Sequence, residues 1–446
     1  MLTLKASYIV KPLVPSPTRL IYLSDFDQSV AITHGPTVYF YRPISDHLLN
    51  PIEILKSSLG KAFTIFYPLA GRLQRTGRGR EVNCNSMGAL FLETESEAKI
   101  SDFGDFTPTS ETRALTPSGD YNKPIDELPL LLVQVTNFSC GGISLGLGIA
   151  HVLVDGRCAA HFVSEWERIA RSEKPENLPF LDQTVLKLEE DDLTPLRFDH
   201  LEFRKPPMLI GQTNNLEEQK KDTTVVILKL SKEQIKKLKK EANEFPSVYT
   251  SRKPFTKFEA VTAHMWRCSS KARLHEIEQQ TSVRVGVHFH SRMVPPLPKH
   301  YFGNAVLPMR ATTTSGELLS KQLGYGCSKI REAIEKVTDE YIWSSLAYMK
   351  RDKDLSKFRY SHVVGSTQGA FLGNPNIVIT SWISLPLLGV DFGWGKEIYE
   401  GPGAIAFDGK SFIFPSHDED GSFDVPFRLQ VEHMDAFKKF FYENIK

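Results

Sequence analysis

The sequence has few cysteines, no long apolar run and no excess of charge. Its five cysteines among 446 residues are odd in number, widely spaced and without a C-x-x-C pair, which fits reduced thiols rather than a disulfide framework. No apolar stretch reaches spanning length, and the start, Met1–Lys5, lacks a secretory hydrophobic segment. With 54 basic and 53 acidic side chains, the net charge of +1 provides no general attraction to nucleic acid or membranes. We therefore expect a cytosolic protein that binds neither.

The length and composition instead indicate substantial hydrophobic cores. Of the 446 residues, 41% are hydrophobic and 11% aromatic, which suggests two or more domains. Between residues 172 and 221 the apolar periodicity is poor, and acidic residues and prolines cluster at Glu189–Asp192 and Pro206–Pro207. We predict two mixed α/β domains, residues 1–171 and 222–446, joined by a crossover segment over 172–221.

One short segment combines a strand, a tight turn and a helix around a histidine. Two apolar runs, Leu131–Val135 and Ile143–Ile149, flank Cys140-Gly141-Gly142, a pattern that predicts a buried β-hairpin with His151 at its exit. After Gly156, apolar residues recur at helical spacing: Phe162, Val163, Trp166, Ile169 and Ala170. A histidine at such a junction can reach a cleft.

A second motif, Asp391-Phe392-Gly393-Trp394-Gly395, follows an apolar run, Ile377–Leu388, that we predict to be a strand. The glycines Gly393 and Gly395 suit a turn that needs positive φ or close backbone approach, and Trp394 offers a large surface for packing. The motif is far from His151 in sequence and has no good proton shuttle. We interpret it as a structural turn rather than as part of the catalytic machinery.

These two motifs, in this order and at this separation, resemble those of the plant BAHD acyltransferases. The resemblance covers nearly the whole chain, because four further segments are similar to the family: Gly35–Tyr41, Phe66–Leu73, Pro295–Pro298 and Tyr301–Asn304. It implies two domains that resemble chloramphenicol acetyltransferase, each a mixed β-sheet flanked by helices, with part of 375–400 pairing with the N-terminal sheet. It also implies a monomer, an active-site channel at the domain interface, and acyl-CoA as a co-substrate with no permanently bound cofactor.

His151 is the candidate general base of this acyl transfer. An alcohol or amine that attacks a thioester must lose a proton as the bond forms, and imidazole is the side chain already poised near neutral pH. The activated thioester requires neither a serine or cysteine nucleophile nor a metal. Four residues on, Asp155 either orients the imidazole or turns away and braces the loop through an ion pair, and a tight turn is compatible with both.

The resemblance also points to a candidate donor for the tetrahedral oxyanion. In shikimate-accepting members a Thr-Ser-Trp stretch before the last motif lies against the reacting carbonyl, and here it reads Thr380-Ser381-Trp382. The indole N–H of Trp382 or the hydroxyl of Thr380 is thus the candidate donor. The alternative is that Trp382 is an ordinary strand aromatic.

The acceptor pocket implied by the resemblance differs from that of the shikimate transferases. Those enzymes carry an arginine two positions after the tryptophan, where this chain has Ser384, and threonine, serine and tyrosine where it has Gly35, Thr37 and Tyr39. Replacing the guanidinium with a hydroxyl removes a bidentate contact to an acceptor carboxylate. We therefore expect a rebuilt pocket with weakened recognition of acids.

Among BAHD enzymes the resemblance is greatest to the spermidine hydroxycinnamoyl transferases, in four segments: Glu165–Arg168, Leu209–Thr213, Gly365–Gly369 and Gln430–Met434. It implies transfer of a hydroxycinnamoyl group from coenzyme A to an amine acceptor, a polyamine such as spermidine, in one direct attack without an acyl-enzyme. The alternatives are ester formation on shikimate, quinate or another alcohol, and an inactive family member that acts as a binding protein. Intact His151 and Asp155 argue against the last.

Some positions depart from the family pattern. Where members carry an Arg-x-Arg pair ahead of the prolines, this chain has His290 and Arg292. We predict that Arg292 pairs with Asp155, with protonated His290 as the alternative. Val294 stands where a spermidine transferase carries glutamate, which removes a carboxylate that a polyamine would face.

Two further groups of residues are candidate ligand sites, one for a metal ion and one for the phosphates of coenzyme A. His288 and His290 alternate onto one strand face as a metal pair does, but no third ligand is evident, so we predict no metal. Ser251, Arg252 and Lys253 precede a capped helix, where basic residues beside the helix N-terminus are candidates for holding coenzyme A phosphates. A solvated basic loop is the alternative.

Overall fold

A computed structural model describes residues 2–44, 49–77, 79–189, 195–245, 253–359, 371–443 and 445. Its strands are β1 Leu2–Val10, β2 Leu20–Tyr22, β3 His34–Tyr41, β4 Arg72–Thr76, β5 Gly79–Asn83, β6 Ala89–Ser96, β7 Leu131–Phe138, β8 Ile143–Ala150, β9 Thr223–Leu230, β10 Gln280–His288, β11 Val306–Thr314, β12 Ile377–Ser381, β13 Tyr399–Pro402, β14 Lys410–Pro415 and β15 Phe423–Gln430. Its α-helices are α1 Asp25–Gln28, α2 Pro51–Ala62, α3 Ser110–Ala114, α4 Gly156–Ala170, α5 Leu216–Lys220, α6 Lys232–Asn243, α7 Lys257–Ala272, α8 Ser315–Ser320, α9 Leu323–Glu335, α10 Asp339–Lys350 and α11 Val431–Glu443. None of these helices is long and apolar enough to cross a bilayer.

The strands form two six-stranded sheets and one small sheet. The first large sheet has the order β1-β6-β7-β8-β3-β13, the second β11-β10-β12-β14-β15-β9, and the small one β2-β5-β4. Parallel pairs lie among antiparallel ones in both large sheets, namely β6 with β7, β10 with β12, and β12 with β14. Two mixed sheets with flanking helices confirm the predicted α/β fold.

Each large sheet packs its helices through a buried tryptophan. We call the first large sheet with its helices the first lobe, and the second large sheet with its helices the second lobe. In the first lobe, Trp166 of α4 is fully buried and donates its indole N–H to Ser58 Oγ of α2, at 2.9 Å. In the second, Trp266 of α7 is equally buried and donates to Thr281 Oγ1 of β10, at 3.0 Å. Both large side chains therefore contribute apolar area while their polar atoms stay satisfied.

The hairpin predicted around Cys140-Gly141-Gly142 is present as β7 and β8. The two strands are antiparallel neighbours, and Gly141 has φ +82° in the turn between them. The helix predicted after Gly156 is α4, which begins at that residue. Strand, tight turn and helix thus follow one another around His151 as the spacing predicted.

The strand predicted over Ile377–Leu388 is correct only as far as Ser381. Trp382 still donates its N–H to the Ile413 carbonyl at 2.8 Å, but the chain then leaves the sheet. Pro386 has no N–H with which to continue a ladder. The prediction is therefore wrong for 382–388, which turns toward the first lobe.

The second half of the chain also supplies an edge strand to the first sheet. β13 pairs antiparallel with β3, with Tyr399 opposite Phe40 and Glu400 opposite Tyr39. We predicted that part of 375–400 pairs with the N-terminal sheet, and the observed pairing starts at Tyr399, at the end of that range. Within the described residues of 172–221 only short helical turns and α5 occur, and the domain boundaries at 171 and 221 stay a prediction.

Candidate active site

His151 follows β8, and its main chain is held by loops from both halves of the sequence. Its N–H donates to the Thr33 carbonyl at 3.1 Å, and its carbonyl accepts from the Asn304 side-chain amide at 2.9 Å. Asn304 is anchored in turn on Asp27 Oδ1, through its main-chain N–H at 2.7 Å and its side-chain amide at 2.8 Å. The position of the histidine backbone therefore depends on the junction between the lobes.

The His151 imidazole has the protonation state that a general base needs. Burial lowers its pKa below the ordinary value, its own carbonyl and Asp155 oppose that shift, and Lys410 reinforces it. The Nδ1 atom is buried and forms no hydrogen bond with any described residue. The ring is thus neutral at pH 7 and able to accept a proton.

Asp155 is the N-cap of α4 rather than a partner of the imidazole. Its Oδ1 accepts from the Cys158 N–H at 3.0 Å, and its Oδ2 accepts from the Ala305 N–H at 3.1 Å. The residue is 4% exposed, so its carboxylate is satisfied by two main-chain donors inside the protein. Of the two alternatives, it braces the turn, and it does so by tying α4 to the second lobe.

The predicted ion pair between Arg292 and Asp155 is wrong. Arg292 donates to the Ile334 carbonyl at the end of α9, at 2.8 Å, where a cation meets the unsatisfied carbonyls of a helix terminus. His290, the alternative partner, lies with its Nε2 2.9 Å from the Pro298 carbonyl. Asp155 needs no cation because main-chain N–H groups already occupy both of its oxygens.

Within the described residues, the two neighbouring histidines have no third side chain near enough to complete a metal-binding group. The rings of His288 and His290 stack, with centroids 5.9 Å apart. Across the described ranges, no three His, Cys, Asp or Glu side chains are grouped as a metal ion would require. Val294, four residues beyond His290, is 77% exposed and points away from the protein interior.

A narrow cleft lies between the first sheet, α4 and the segment after β12. Two of the predicted acceptor residues, Thr37 and Tyr39 of β3, face it together with Trp382. Ile149 and Gly156, which flank the His151 turn, also line it. The remaining lining residues are Leu147, Ala159, Ala160, Val163, Leu385, Leu387 and Glu400. The cleft therefore brings acceptor and oxyanion candidates together beside the His151 turn.

Two predicted acceptor residues are not among those that line the cleft. Gly35 lies on β3 opposite Ile149 of β8, two residues before Thr37. Ser384 is exposed, because the chain turns out of the sheet after Trp382. Ser384 does not line this cleft, its neighbour Leu385 faces the cleft instead, and the role of Ser384 in binding the acceptor stays a prediction.

Glu400 is a cleft residue that the sequence did not reveal. Burial raises its pKa well above the ordinary value, the nearby Glu397 carboxyl raises it further, and Tyr39 opposes both. This shift favours the protonated form of its carboxyl group, which can donate a hydrogen bond. Only the pairing of β13 with β3 places it there, and no local pattern signals that pairing.

Thr380, Trp382 and an unpredicted lysine lie together on the second sheet. The Thr380 hydroxyl accepts a hydrogen bond from Lys410 Nζ, and the Trp382 ring packs on Phe412 with centroids 4.9 Å apart. Lys410 is half-buried, although the sequence around it, Asp408-Gly409-Lys410, is typical of a surface turn. The oxyanion candidates thus have a cation next to them.

The Asp391–Gly395 motif forms a turn that docks on the first lobe. The N–H groups of Gly393 and Gly395 donate to Asp391 Oδ1 at 2.8 and 2.9 Å, and the glycines have φ +112° and +106°. Only glycine adopts such angles without strain. The Asp391 carbonyl accepts from Arg171, just beyond the C-terminus of α4. These contacts are those of a scaffold.

Aromatic rings seat the same turn. Phe392 lies edge-on to Trp166 with ring centroids 4.9 Å apart, and Trp394 lies edge-on to Tyr41 at 5.8 Å. Edge-to-face pairs of this kind stabilise by about 0.5–1.5 kcal/mol beyond their buried area. The motif therefore couples the second half of the chain to the core of the first lobe.

The predicted coenzyme A contacts stay a prediction. Ser251 and Arg252 lie outside the described residues, as does the segment 365–369 that carried part of the spermidine-transferase resemblance. The carbonyl of Lys253 accepts a hydrogen bond from Arg331. Three residues later, Thr256 caps α7 and accepts from the Glu259 N–H at 3.2 Å.

Comparison with known proteins gives full-length matches. The Transferase family model matches residues 1–444. The chain is 48% identical to hydroxycinnamoyl-CoA:piscidic acid hydroxycinnamoyltransferase of Actaea racemosa, over 100% of both chains. It is 38% identical to shikimate O-hydroxycinnamoyltransferase of Nicotiana tabacum, over 98% of this chain and 99% of the relative. Among solved structures, vinorine synthase has the same fold, with a TM-score of 0.71 at 22% identity over 98% of this chain and 96% of that one.

Proposed function

We propose that this chain moves a hydroxycinnamoyl group from coenzyme A to a hydroxyl group of a carboxylic acid. The chain belongs to the Transferase family of BAHD acyltransferases and is an acyl-CoA-dependent acyltransferase. The two relatives support this choice, since their names specify hydroxycinnamoyl transfer with piscidic acid or shikimate. They favour the alternative of ester formation over the predicted acylation of spermidine.

The observation that carries the proposal is the neutral imidazole of His151, held between the lobes. As the acceptor oxygen attacks the thioester carbonyl, His151 takes the hydroxyl proton, and the carbonyl oxygen of the donor becomes an oxyanion. The Thr380 hydroxyl or the Trp382 indole N–H is the proposed donor to that oxyanion. When the intermediate collapses, the C–S bond breaks, and the imidazolium returns its proton to the coenzyme A thiolate.

The charges around the cleft favour an acid over a polyamine. A polyamine carries ammonium groups that require carboxylates or other strong acceptors nearby. Glu400 is the one acidic side chain among the residues that line the cleft, and burial raises its pKa well above the ordinary value, which disfavours its anionic form. The charged side chain beside Thr380 is the cation Lys410. These surroundings therefore suit an anionic acceptor better than spermidine.

The proposed setting is a monomer in the cytosol. The five cysteines are unpaired with one another, and four of them are buried, as suits a reducing compartment. Light scattering after size exclusion tests the oligomeric state, and imaging of a fluorescently tagged full-length chain tests the compartment.

An acceptor panel tests the reaction. Purified protein is supplied with p-coumaroyl-CoA and, in turn, piscidic acid, shikimate, spermidine or putrescine, and thiol release is followed while mass spectrometry identifies the product. The proposal predicts esters of a hydroxy acid, with kcat/KM roughly 10-fold or more above that for either amine. Mild alkali, which hydrolyses esters far faster than amides, confirms the linkage. Turnover confined to the amines would contradict it.

A further inference from the structure

One half-buried cation lies on the face of the second sheet that carries the oxyanion candidates. In the parallel pair of β12 and β14, Lys410 is opposite Val378, and Thr380 is opposite Phe412. Because side chains alternate along a strand, Lys410 shares one face of the sheet with Thr380 and Trp382. The hydrogen bond from Lys410 Nζ to the Thr380 hydroxyl confirms that the two side chains meet on this face.

Lys410 has no carboxylate partner within the described ranges of the chain. Its Nζ bonds to the neutral Thr380 hydroxyl and lies 4.7 Å from the centroid of the Phe412 ring. Burial and, to a smaller extent, the like charge of Arg284 together lower the pKa of Lys410 to about 7. An ammonium group in such surroundings is poorly compensated. An anion that arrives beside it is therefore bound with a favourable change in electrostatic energy.

The same cation acts electrostatically on the candidate base. The charge of Lys410 contributes to the lowered pKa of His151, although burial is the main cause. Among the described residues, Arg284 lowers the pKa of Lys410 and Lys410 lowers the pKa of His151, and both of these neighbours are basic. Arg284 is occupied by main-chain carbonyls, those of Glu202 at 2.7 Å and Pro308 at 3.2 Å. Lys410 is thus the cation of this group that is free of carbonyl and carboxylate partners.

We infer that Lys410 binds the carboxylate of the acid acceptor and so determines the preference for anionic acceptors. The inference rests on the proposed function, since it requires that the acceptor be an acid. The carboxylate gives the Lys410 ammonium group a partner of opposite charge, which the neutral Thr380 hydroxyl does not supply. With its carboxylate held there, an acceptor presents its hydroxyl group toward His151, while the Thr380 hydroxyl keeps its proton for the oxyanion.

The test compares acceptors that differ only in charge. Shikimate with methyl shikimate, and piscidic acid with its dimethyl ester, are assayed with p-coumaroyl-CoA against wild type, Lys410→Met and Lys410→Arg. Lys396→Met, at an exposed lysine in the Asp391–Gly395 region, is the matched control. In Lys410→Met, we expect kcat/KM for the acid to fall roughly 10- to 100-fold, mainly through KM, while that for the ester changes little. Lys410→Arg retains most of the preference for the acid.

The wild-type enzyme supplies an independent readout should the methionine variant fail to fold. The ratio of kcat/KM for the acid to that for its ester should fall as pH rises through 7, where Lys410 loses its proton. In Lys410→Arg this decline should be absent below pH 9, because an arginine stays protonated.

The outcomes separate the two claims. If wild type makes no ester of any acid, the proposed function fails before a variant is examined, and this inference fails with it. If wild type esterifies acids but Lys410→Met lowers kcat/KM equally for acid and ester, or leaves their ratio unchanged, the function stands and Lys410 is not the carboxylate site. An unchanged donor KM in every variant shows that coenzyme A binding is unaffected.

Discussion

The side-chain amide of Asn304 donates to the main-chain carbonyl of His151 at 2.9 Å, across 153 residues of sequence. The same amide donates to Asp27, and burial raises the pKa of Asp27 to about 7, despite hydrogen bonds from Ser24 and Asn304 that oppose the shift. The candidate base of the first lobe is therefore positioned by a residue that follows the crossover. We therefore expect acyl transfer to be sensitive to the relative position of the two lobes.

Asn304→Ala should lower kcat together with stability. The substitution removes the side-chain donor to the His151 carbonyl and one of the donors to the Asp27 carboxyl, which keeps the main-chain N–H of residue 304, at a cost of about 1–3 kcal/mol in the free energy of unfolding. We expect kcat to fall by roughly 10-fold or more because the imidazole loses its fixed position. Urea unfolding and steady-state kinetics check both effects. Asn122→Ala, at an exposed loop position, is the control. A fully active Asn304→Ala would show that the lobe contact does not position the base.

Asp155→Asn should act mainly on the turn that carries His151. An asparagine side chain has one acceptor oxygen for the two N–H donors of Cys158 and Ala305, and its amide nitrogen faces the other donor. The free energy of unfolding should fall by about 1–3 kcal/mol, as thermal melting will show. Loss of kcat without any loss of stability would return Asp155 to the role of an imidazole-orienting residue.

The pH dependence with a neutral acceptor should follow His151 alone. A general base works when deprotonated, so kcat/KM rises with pH through the pKa of His151 and is flat above it. Burial lowers that pKa, and the rise should therefore lie below the ordinary value of about 6.5. Measurement with methyl shikimate avoids the titration of Lys410. In Lys410→Met the rise should move to higher pH because a positive charge has been removed, whereas a midpoint above 7 in wild type would contradict the assignment.

Asp391→Ala should destabilise the protein without changing its chemistry. The substitution removes the acceptor of the Gly393 and Gly395 N–H groups, and because these groups are exposed to water, the expected loss is about 0.5–1.5 kcal/mol. Asp391→Asn retains an acceptor oxygen and is the matched control. Thermal unfolding should separate the two variants, and kcat at a temperature where both are folded should be close to that of wild type. A specific loss of kcat in Asp391→Asn would give the motif a role beyond scaffolding.

Local features of the fold could be predicted from the sequence because their determinants are adjacent. The β7–β8 hairpin follows from two apolar runs around glycines, and α4 follows from apolar residues at helical spacing after Gly156. The same local patterning failed at Trp382, where a continuous apolar run continues past the strand. After Ser381 the apolar residues Leu385 and Leu387 face the cleft beside the first lobe instead of continuing the strand. Apolar periodicity alone does not distinguish such a segment from a buried strand.

Site residues were harder to predict because their partners are distant in sequence. The second hydrogen-bond donor to Asp155 is Ala305, 150 residues away in sequence. The residues around Asp155 therefore could not show that main-chain N–H groups, rather than a cation, satisfy its carboxylate. Glu400 reaches the cleft because β13 pairs with β3 of the first sheet. Lys410 follows a glycine and an aspartate, a pattern that also occurs in solvated turns. Such residues become visible only when sheet register is known.

The most direct test of the account is the rate of acyl transfer by His151→Ala, measured at saturating p-coumaroyl-CoA and hydroxy acid, with His161→Ala as a control on the neighbouring helix α4. Titration calorimetry with coenzyme A shows whether the variant still binds the co-substrate. The account predicts intact coenzyme A binding and a loss of kcat of roughly 100- to 10,000-fold. A His151→Ala variant that turns over within a few-fold of wild type would contradict the assignment of this imidazole as the base.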